Sequence, residues 1–383
     1  MAGYLLRRLL QVLVTLFLFV TLSFFLIQAQ PGDYSSFYSL NPKLPPEVQS
    51  RVRAQFGLDR PLGEQYLLHL KNFATGNFGV SFSHYPQSVL EVILERLPRT
   101  AALFLTATVV SFYAGFFLGK MLAWRRGGWV EYSATISGVA LFTVFTPWFA
   151  LMMIWLFAFK LGWFPLGKFL DPLVWRNAPV SANQVFGYML FTGAAIAVIL
   201  FLAMLLLAQL GLRRRGWLPA AVAIICVASA VIAWAGSGVG YLALDILKHM
   251  VLPIATLTLI SFAGTMLLTR NSMLETLRED YITAARAKGL PEKVVRDRHA
   301  ARNALLPVVT SLVFSLAFAV DGGVITESVF SWPGMGLTLL DAVLSEDLPL
   351  AMGALVFVGL LALVAHAVAD VLYVYLDPRI RYQ

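Results

Sequence analysis

Eight apolar stretches divide this chain, each long enough to cross about 30 Å of hydrocarbon, which takes roughly 20 helical residues. They lie near 9–28, 99–122, 133–159, 187–211, 218–235, 249–269, 306–329 and 350–375. The pattern predicts an all-α polytopic membrane protein with about eight transmembrane helices. Arg7 and Arg8 precede the first stretch. Its length and the absence of a small-residue cleavage site predict a retained anchor over 1–30 rather than a signal peptide.

The polar intervals organise the rest. Residues 31–98 read as an extracytoplasmic segment with two amphipathic helices. Pro45-Pro46 opens one, with Val48, Val52 and Phe56 on a stripe, and Pro61 opens the other, with Tyr66, Leu67, Leu70 and Phe73 at helical spacing. Both are expected to rest on the membrane surface or on helix ends, and Gly76-Asn77-Phe78-Gly79 is a turn signal. Core helices follow over 99–167. An extra hairpin over 168–245 has two stretches rich in Leu, Ala and Ile, joined by Arg213, Arg214 and Arg215. With almost no polar side chain to line a wet path, it is expected to face lipid. Core helices resume over 246–383, interrupted by a charged loop at 270–305.

Composition agrees: 59% of the 383 residues are hydrophobic and 13% charged, against about 25% charged in soluble domains. The net charge of +8 could suggest nucleic acid, but its distribution argues for topology. With the N-terminus in the cytoplasm, Arg7, Arg8, Lys120, Arg125, Arg126, the three hairpin arginines, the charged loop, Arg379 and Arg381 share one side. The short loops opposite carry Lys160, Lys168, Arg176 and Lys248. This asymmetry places both termini in the cytoplasm, with membrane lipid rather than nucleic acid as the partner of the excess charge. The lone Cys226 excludes an intrachain disulfide, and the five histidines show no metal-ligand spacing.

The charged loop is the most distinctive stretch, with eight basic and five acidic side chains from 270 to 302. Tyr281, Ala284, Ala285 and Lys288 fall on one helical stripe. Gly289 then interrupts as a C-cap, and Pro291 restarts a helix with Val294 and Val295. Two short helices around a glycine turn suit a flat contact surface for a soluble partner. They equally suit an amphipathic helix on the inner leaflet.

Within the spans, ionisable residues cost about 2.5–3.5 kcal/mol at the bilayer centre, so Asp321, His366 and Asp370 are expected to face the protein interior. His366 lies at i−4 from Asp370 and is its expected partner. Asp321 precedes Gly322-Gly323 in the outer half of the seventh span, and Glu327, Phe330 and Trp332 stand at its outer end. All six are candidates for a translocation path or gate; polar packing, or an interfacial anchor for Trp332, explains the same residues. Pro147 and Pro253 allow kinks. No GxxxxGK[ST] occurs; the nearest string, from Gly115 to Gly119-Lys120, has the wrong spacing.

Thr283-Ala284-Ala285, separated from Gly289 by three residues, resembles the cytoplasmic EAA loop of ABC importer permeases. In detail, MLETLREDYITAARAKGL followed by RHAARNALLPVV is similar to the branch that handles dipeptides, oligopeptides and nickel. LLRRLLQ, FGLDRPLGEQY, GNFGVSFS, ILERLPRTAAL, LGWFP, ESVFSWPGMG and DPRIRY carry the same resemblance over most of 1–167 and 245–383. Thr283 stands where the general motif has Glu, and Ala301-Arg302 where it has Leu-Pro. The hairpin exceeds the six spans typical of the family.

The resemblance implies a type I importer permease fold, a six-helix core plus the hairpin, in a bacterial or archaeal plasma membrane. It implies a non-catalytic subunit forming half of a pore for peptides. Its partners would be a second permease subunit, one or two ABC ATPases that bind ATP and Mg, and an extracytoplasmic solute-binding protein. No cofactor would belong to this chain. Tyr281, Ala284, Ala285, Arg286, Lys288, Gly289 and Leu290 would form the ATPase contact. The alternatives are an ion-driven transporter or channel, which wants paired mid-membrane acids or inverted repeats, and a membrane enzyme, for which His366 and Asp370 offer no nucleophile.

Overall fold

A computed structural model describes residues 2–29, 59–125, 127–210, 217–319 and 322–376, with isolated positions 47, 50, 54 and 57. The helix expected after Pro45-Pro46, Arg126, the three hairpin arginines, Asp321, Arg379 and Arg381 lie outside the described residues.

In chain order the helices are α1 (Ala2–Gln28), α2 (Leu62–Ala74), α3 (Val89–Trp124), α4 (Trp129–Thr143), α5 (Thr146–Met153), α6 (Ala182–Gln209), α7 (Trp217–Gly236), α8 (Gly240–Thr276), α9 (Asp280–Ala287), α10 (Ala301–Phe318), α11 (Val324–Val329), α12 (Met335–Leu344) and α13 (Leu348–Leu376). Wide π turns occupy Ile154–Lys160 and Val295–Ala300. Among the described residues, seven helices are long and apolar enough to cross a membrane, or eight if the bent pair α4–α5 counts as one span.

The chain forms two compact units, Met1–Met153 with Pro253–Gln383, and Ile154–Leu252. The second is built around α6 and α7. Its α6 and α7 pack on each other, with Trp234 Nε1 donating to Thr192 Oγ1 at 3.3 Å, and leave their outer leucines and isoleucines exposed. The loop before α6 belongs to the same unit because the Asp245 carboxylate accepts from Asp171 N at 3.0 Å and Trp175 Nε1 at 2.9 Å. Ser181 and Gln184 form a capping box that starts α6. The unit boundary falls at Pro253, yet α8 runs unbroken through that proline.

In the first unit α13 is the hub, packing on α1, α3, α10 and α12. A Ser88–Glu91 capping box starts α3. Gly115 and Gly119 seat α3 against α8: a Cβ at Gly115 would lie 2.6 Å from the Phe262 carbonyl oxygen, and one at Gly119 would strike that of Met266. Small residues four apart let two membrane helices meet backbone to backbone. The surface helix α2 docks on α1 through Tyr66 Oη and Thr21 Oγ1 at 2.8 Å and through Tyr66 and His69 rings against Phe24. Leu67, expected on that stripe, instead points outward at 65% exposure.

Two expected spans are broken. The one at 133–159 bends by 107° between Thr143 and Thr146. Val144 is extended there, and Pro147 lies in the first turn of α5, where its missing N–H costs nothing. The one at 306–329 ends at Phe318, and α11 starts separately after Gly322, whose φ of +74° departs from helical geometry.

Candidate functional site

The charged loop folds as a structured elbow. Glu279 precedes α9, and the chain turns at Gly289 with φ +71° and its N–H donating to Arg286 O at 2.9 Å. It re-enters helix after Pro291. That is the left-handed C-terminal turn for which glycine is favoured. The inner side of α9 is Ile282 and Ala285, which join Ala123, Met273, Val295, Ala300, Ala301 and Ala304 in one apolar cluster. Leu290 packs against the same cluster. Ala285 and Leu290 are therefore turned inward, and the expected stripe is corrected to Tyr281, Ala284 and Lys288, which are exposed. Ile282, which stripe arithmetic passed over, is the anchor, with no exposed surface.

The outward face is braced at both ends. Asn303 Nδ2 donates to Tyr281 Oη at 2.8 Å, and Arg286 pairs with Glu292 at 3.1 Å across the glycine turn. A Cβ at Gly289 would meet nothing within 4 Å, so the turn looks out on open space. The result is a shallow, partly basic surface held firmly from behind.

The path and gate candidates fall into separate places. Glu327 has no exposed surface; it accepts from Thr100 Oγ1 at 2.7 Å and from Leu337 N at 2.9 Å. The Thr100 hydroxyl in turn accepts from Met335 N at 2.7 Å. Trp332, equally buried, donates Nε1 to Arg99 O at 3.2 Å, and Phe330 is buried beside it. Glu327 and Trp332 pin this region to α3, and in this arrangement none of the three buried residues presents a side chain to an open path. Burial pushes the Glu327 carboxyl above its ordinary range, against the opposing pull of its hydrogen bonds to Leu337, Thr100 and Gly336. Asp370 pairs with Arg8 of α1 at 2.8 Å, not with His366. The His366 Nδ1 contacts Ala362 O at 2.7 Å, and its ring meets Phe318 edge-on. A helical i−4 relation brings two residues to one face, but the ring is already engaged with its own backbone. Asp321 lies outside the described residues.

Three buried acids were missed: Glu131, Asp245 and Asp347. Asp347, with no exposed surface, accepts from Ser81 Oγ at 2.5 Å, Ser83 Oγ at 2.6 Å, Ser83 N at 2.9 Å and Leu350 N at 3.2 Å. It caps α13 and staples the turn before α3 to that helix. An Asp directly before Leu348-Pro349 is an N-cap signature that could have revealed it.

The described residues form a bundle of helices long and apolar enough to cross a membrane, carrying an elbow packed on the bundle by one face and exposed on the other. Residues 1–104 match the N-terminal family and residues 199–382 the main family of binding-protein-dependent transport system inner membrane components. The chain is similar to the di/tripeptide transport system permease protein DppB of Pseudomonas aeruginosa, 31% identical over 383 residues. It is also similar to the oligopeptide permease proteins OppB of Haemophilus influenzae, at 30%, and AppB of Bacillus subtilis, at 29%. All three alignments cover 100% of both chains. The chain belongs to this family of ABC-transport permease subunits, whose full-length relatives here are dipeptide and oligopeptide permeases, and its helical architecture is the type I permease fold.

Proposed function

We propose that this chain forms half of the translocation pore of an ATP-driven peptide importer. A second permease subunit supplies the other half, and an extracytoplasmic solute-binding protein delivers di- or oligopeptides. One or two separate ABC ATPases bind ATP and Mg and drive the cycle through the elbow; the chain itself catalyses nothing. Both termini and the elbow lie in the cytoplasm, a topology that the distribution of arginine and lysine supports.

The observation that carries this reading is the two-sidedness of α9. Ile282 and Ala285 root it in the bundle, while Tyr281, Ala284, Arg286 and Lys288 stay exposed beside an open glycine turn. A leaflet-resting helix would put its apolar side toward lipid; here that side is already consumed by the bundle. The full-length relatives, a di/tripeptide and an oligopeptide permease, support peptide as the cargo.

Reconstitution tests the reading. Vesicles holding the complete transporter should accumulate labelled di- to hexapeptides only with ATP inside the compartment that faces the elbow and with binding protein on the other side. Uptake by this chain alone, driven by an ion gradient, would overturn it.

A further inference from the structure

We propose that a charged latch joining Lys120 of α3 to Asp297 and Arg296 is the positioning contact that hands movement of the elbow to α3. The proposal rests on the ATP-coupled reading above and adds the route by which the elbow acts.

The latch is a closed circuit. Lys120 Nζ lies 3.4 Å from Asp297 Oδ1 and over the rings of Phe116 and Phe117 at 5.8 and 5.6 Å. Arg296 grips the same carboxylate with two bonds, Nε to Oδ1 at 2.8 Å and Nη2 to Oδ2 at 2.9 Å. The Arg296 guanidinium then returns to α3, 5.5 Å over the Trp124 ring. Lys120 and Trp124 are four residues apart, on one face of α3. Both ends of the circuit are therefore on α3 and its middle is on the π turn that follows the elbow.

Two attachment points one helical turn apart resist sliding as well as rotation. The apolar cluster between these elements cannot do this alone. It sets Met273, Ile282 and Val295 among Ala123, Ala285, Ala300, Ala301 and Ala304, an apolar contact with no directional bond. Charge-assisted pairs, at 23% and 31% side-chain exposure for Lys120 and Asp297, supply the missing direction. A second clamp repeats the device nearby. Glu131, at the start of α4, takes Arg270 of α8 at 2.8 Å from Nε and the Gly127 N–H at 2.5 Å. Through Gly115 and Gly119, α3 is already seated on α8. A push on the elbow that reaches α3 must therefore displace α8 with it.

Spatial intermediacy alone does not establish coupling, so the test is a double-mutant cycle in the complete reconstituted transporter. The readout is labelled di- to hexapeptide uptake per ATP hydrolysed. Lys120→Met keeps the stem and removes the charge; uptake per ATP is expected to fall about fivefold, equivalent to ~1 kcal/mol. Lys120→Arg should retain the wild-type ratio. Asp297→Asn should match Lys120→Met, and the double variant should lose no more than either single one. Wild-type coupling in Lys120→Met, multiplied losses in the double variant, or no rescue by Arg would overturn the latch. So would loss of ATPase co-purification with Lys120→Met, which would make the contact one of assembly. A wild-type complex without ATP-linked uptake would instead bring down the functional reading itself.

Discussion

Replacing Gly289 separates the folding role of the elbow from its proposed docking role. Its φ of +71° is a conformation that any L-residue adopts at a cost of roughly 1–2 kcal/mol. No atom lies within 4 Å of the position a Cβ would take. Alanine and tryptophan therefore carry the same backbone cost, and neither clashes inside the chain at the Cβ. What differs is outside: the indole fills space beside Ala284 and Lys288 that a docked ATPase would occupy. Gly289→Ala should assemble, melt slightly lower in detergent and keep most substrate-stimulated ATP hydrolysis. Gly289→Trp should melt like Gly289→Ala and lose that stimulation, about a hundredfold if the indole excludes ~3 kcal/mol of docking energy. The assay is ATP hydrolysis by the purified complex with and without peptide-loaded binding protein, beside a thermal melt. Equal stimulation in the two variants at equal melting temperature would refute the placement of the ATPase on this turn.

Other perturbations address the frame. Gly119→Leu drives a side chain into the backbone of α8 and should cost about 1–3 kcal/mol, read as a lowered detergent melt, whereas Gly264→Leu, with nothing within 4 Å, should be near neutral. Asp347→Ala takes the shared acceptor from the Ser81 and Ser83 hydroxyls, leaving them only longer contacts of 3.2–3.5 Å with each other and His84, and removes a helix cap. A loss of about 2–4 kcal/mol, visible as faster proteolysis of the 75–88 turn, is expected. Glu327 takes up its proton at higher pH in the folded chain than its ordinary value of 4.5. Its protonation therefore favours the folded state: the gain is full below 4.5 and is lost as pH rises through the folded value. Glu327→Leu should flatten that part of the pH–melting curve; an unchanged slope would show that another group sets it.

The long apolar stretches were legible because twenty greasy residues have few other fates. The glycine elbow was legible because Gly289 and Pro291 punctuate a helical stripe. Which way α9 faces was not. Ala284 and Ala285 are chemically identical, and only the tertiary contact of Ile282 with Val295 and Ala123 turns one out and the other in. Partners far apart in the chain were equally hidden. Asp370 looked to His366 nearby and found Arg8 at the other end, and Glu327 found Thr100. Such pairings belong to helix packing, which local spacing does not encode. The bend before Pro147 was readable as an allowed kink; its size depends on how α4 and α5 pack.

The π turn at Val295–Ala300 leaves slack in the chain just where the elbow joins α10. A π turn accommodates one more residue than an α turn over the same rise. Removing one residue there can relax it to ordinary helix while every side chain of α10 keeps its bearing. The same deletion inside α10 would swivel all that follows by about 100°. In this turn tolerance to a one-residue deletion should therefore centre on Arg298, its exposed position, since Arg296 and Asp297 hold the latch and Val295 and Ala300 the apolar cluster.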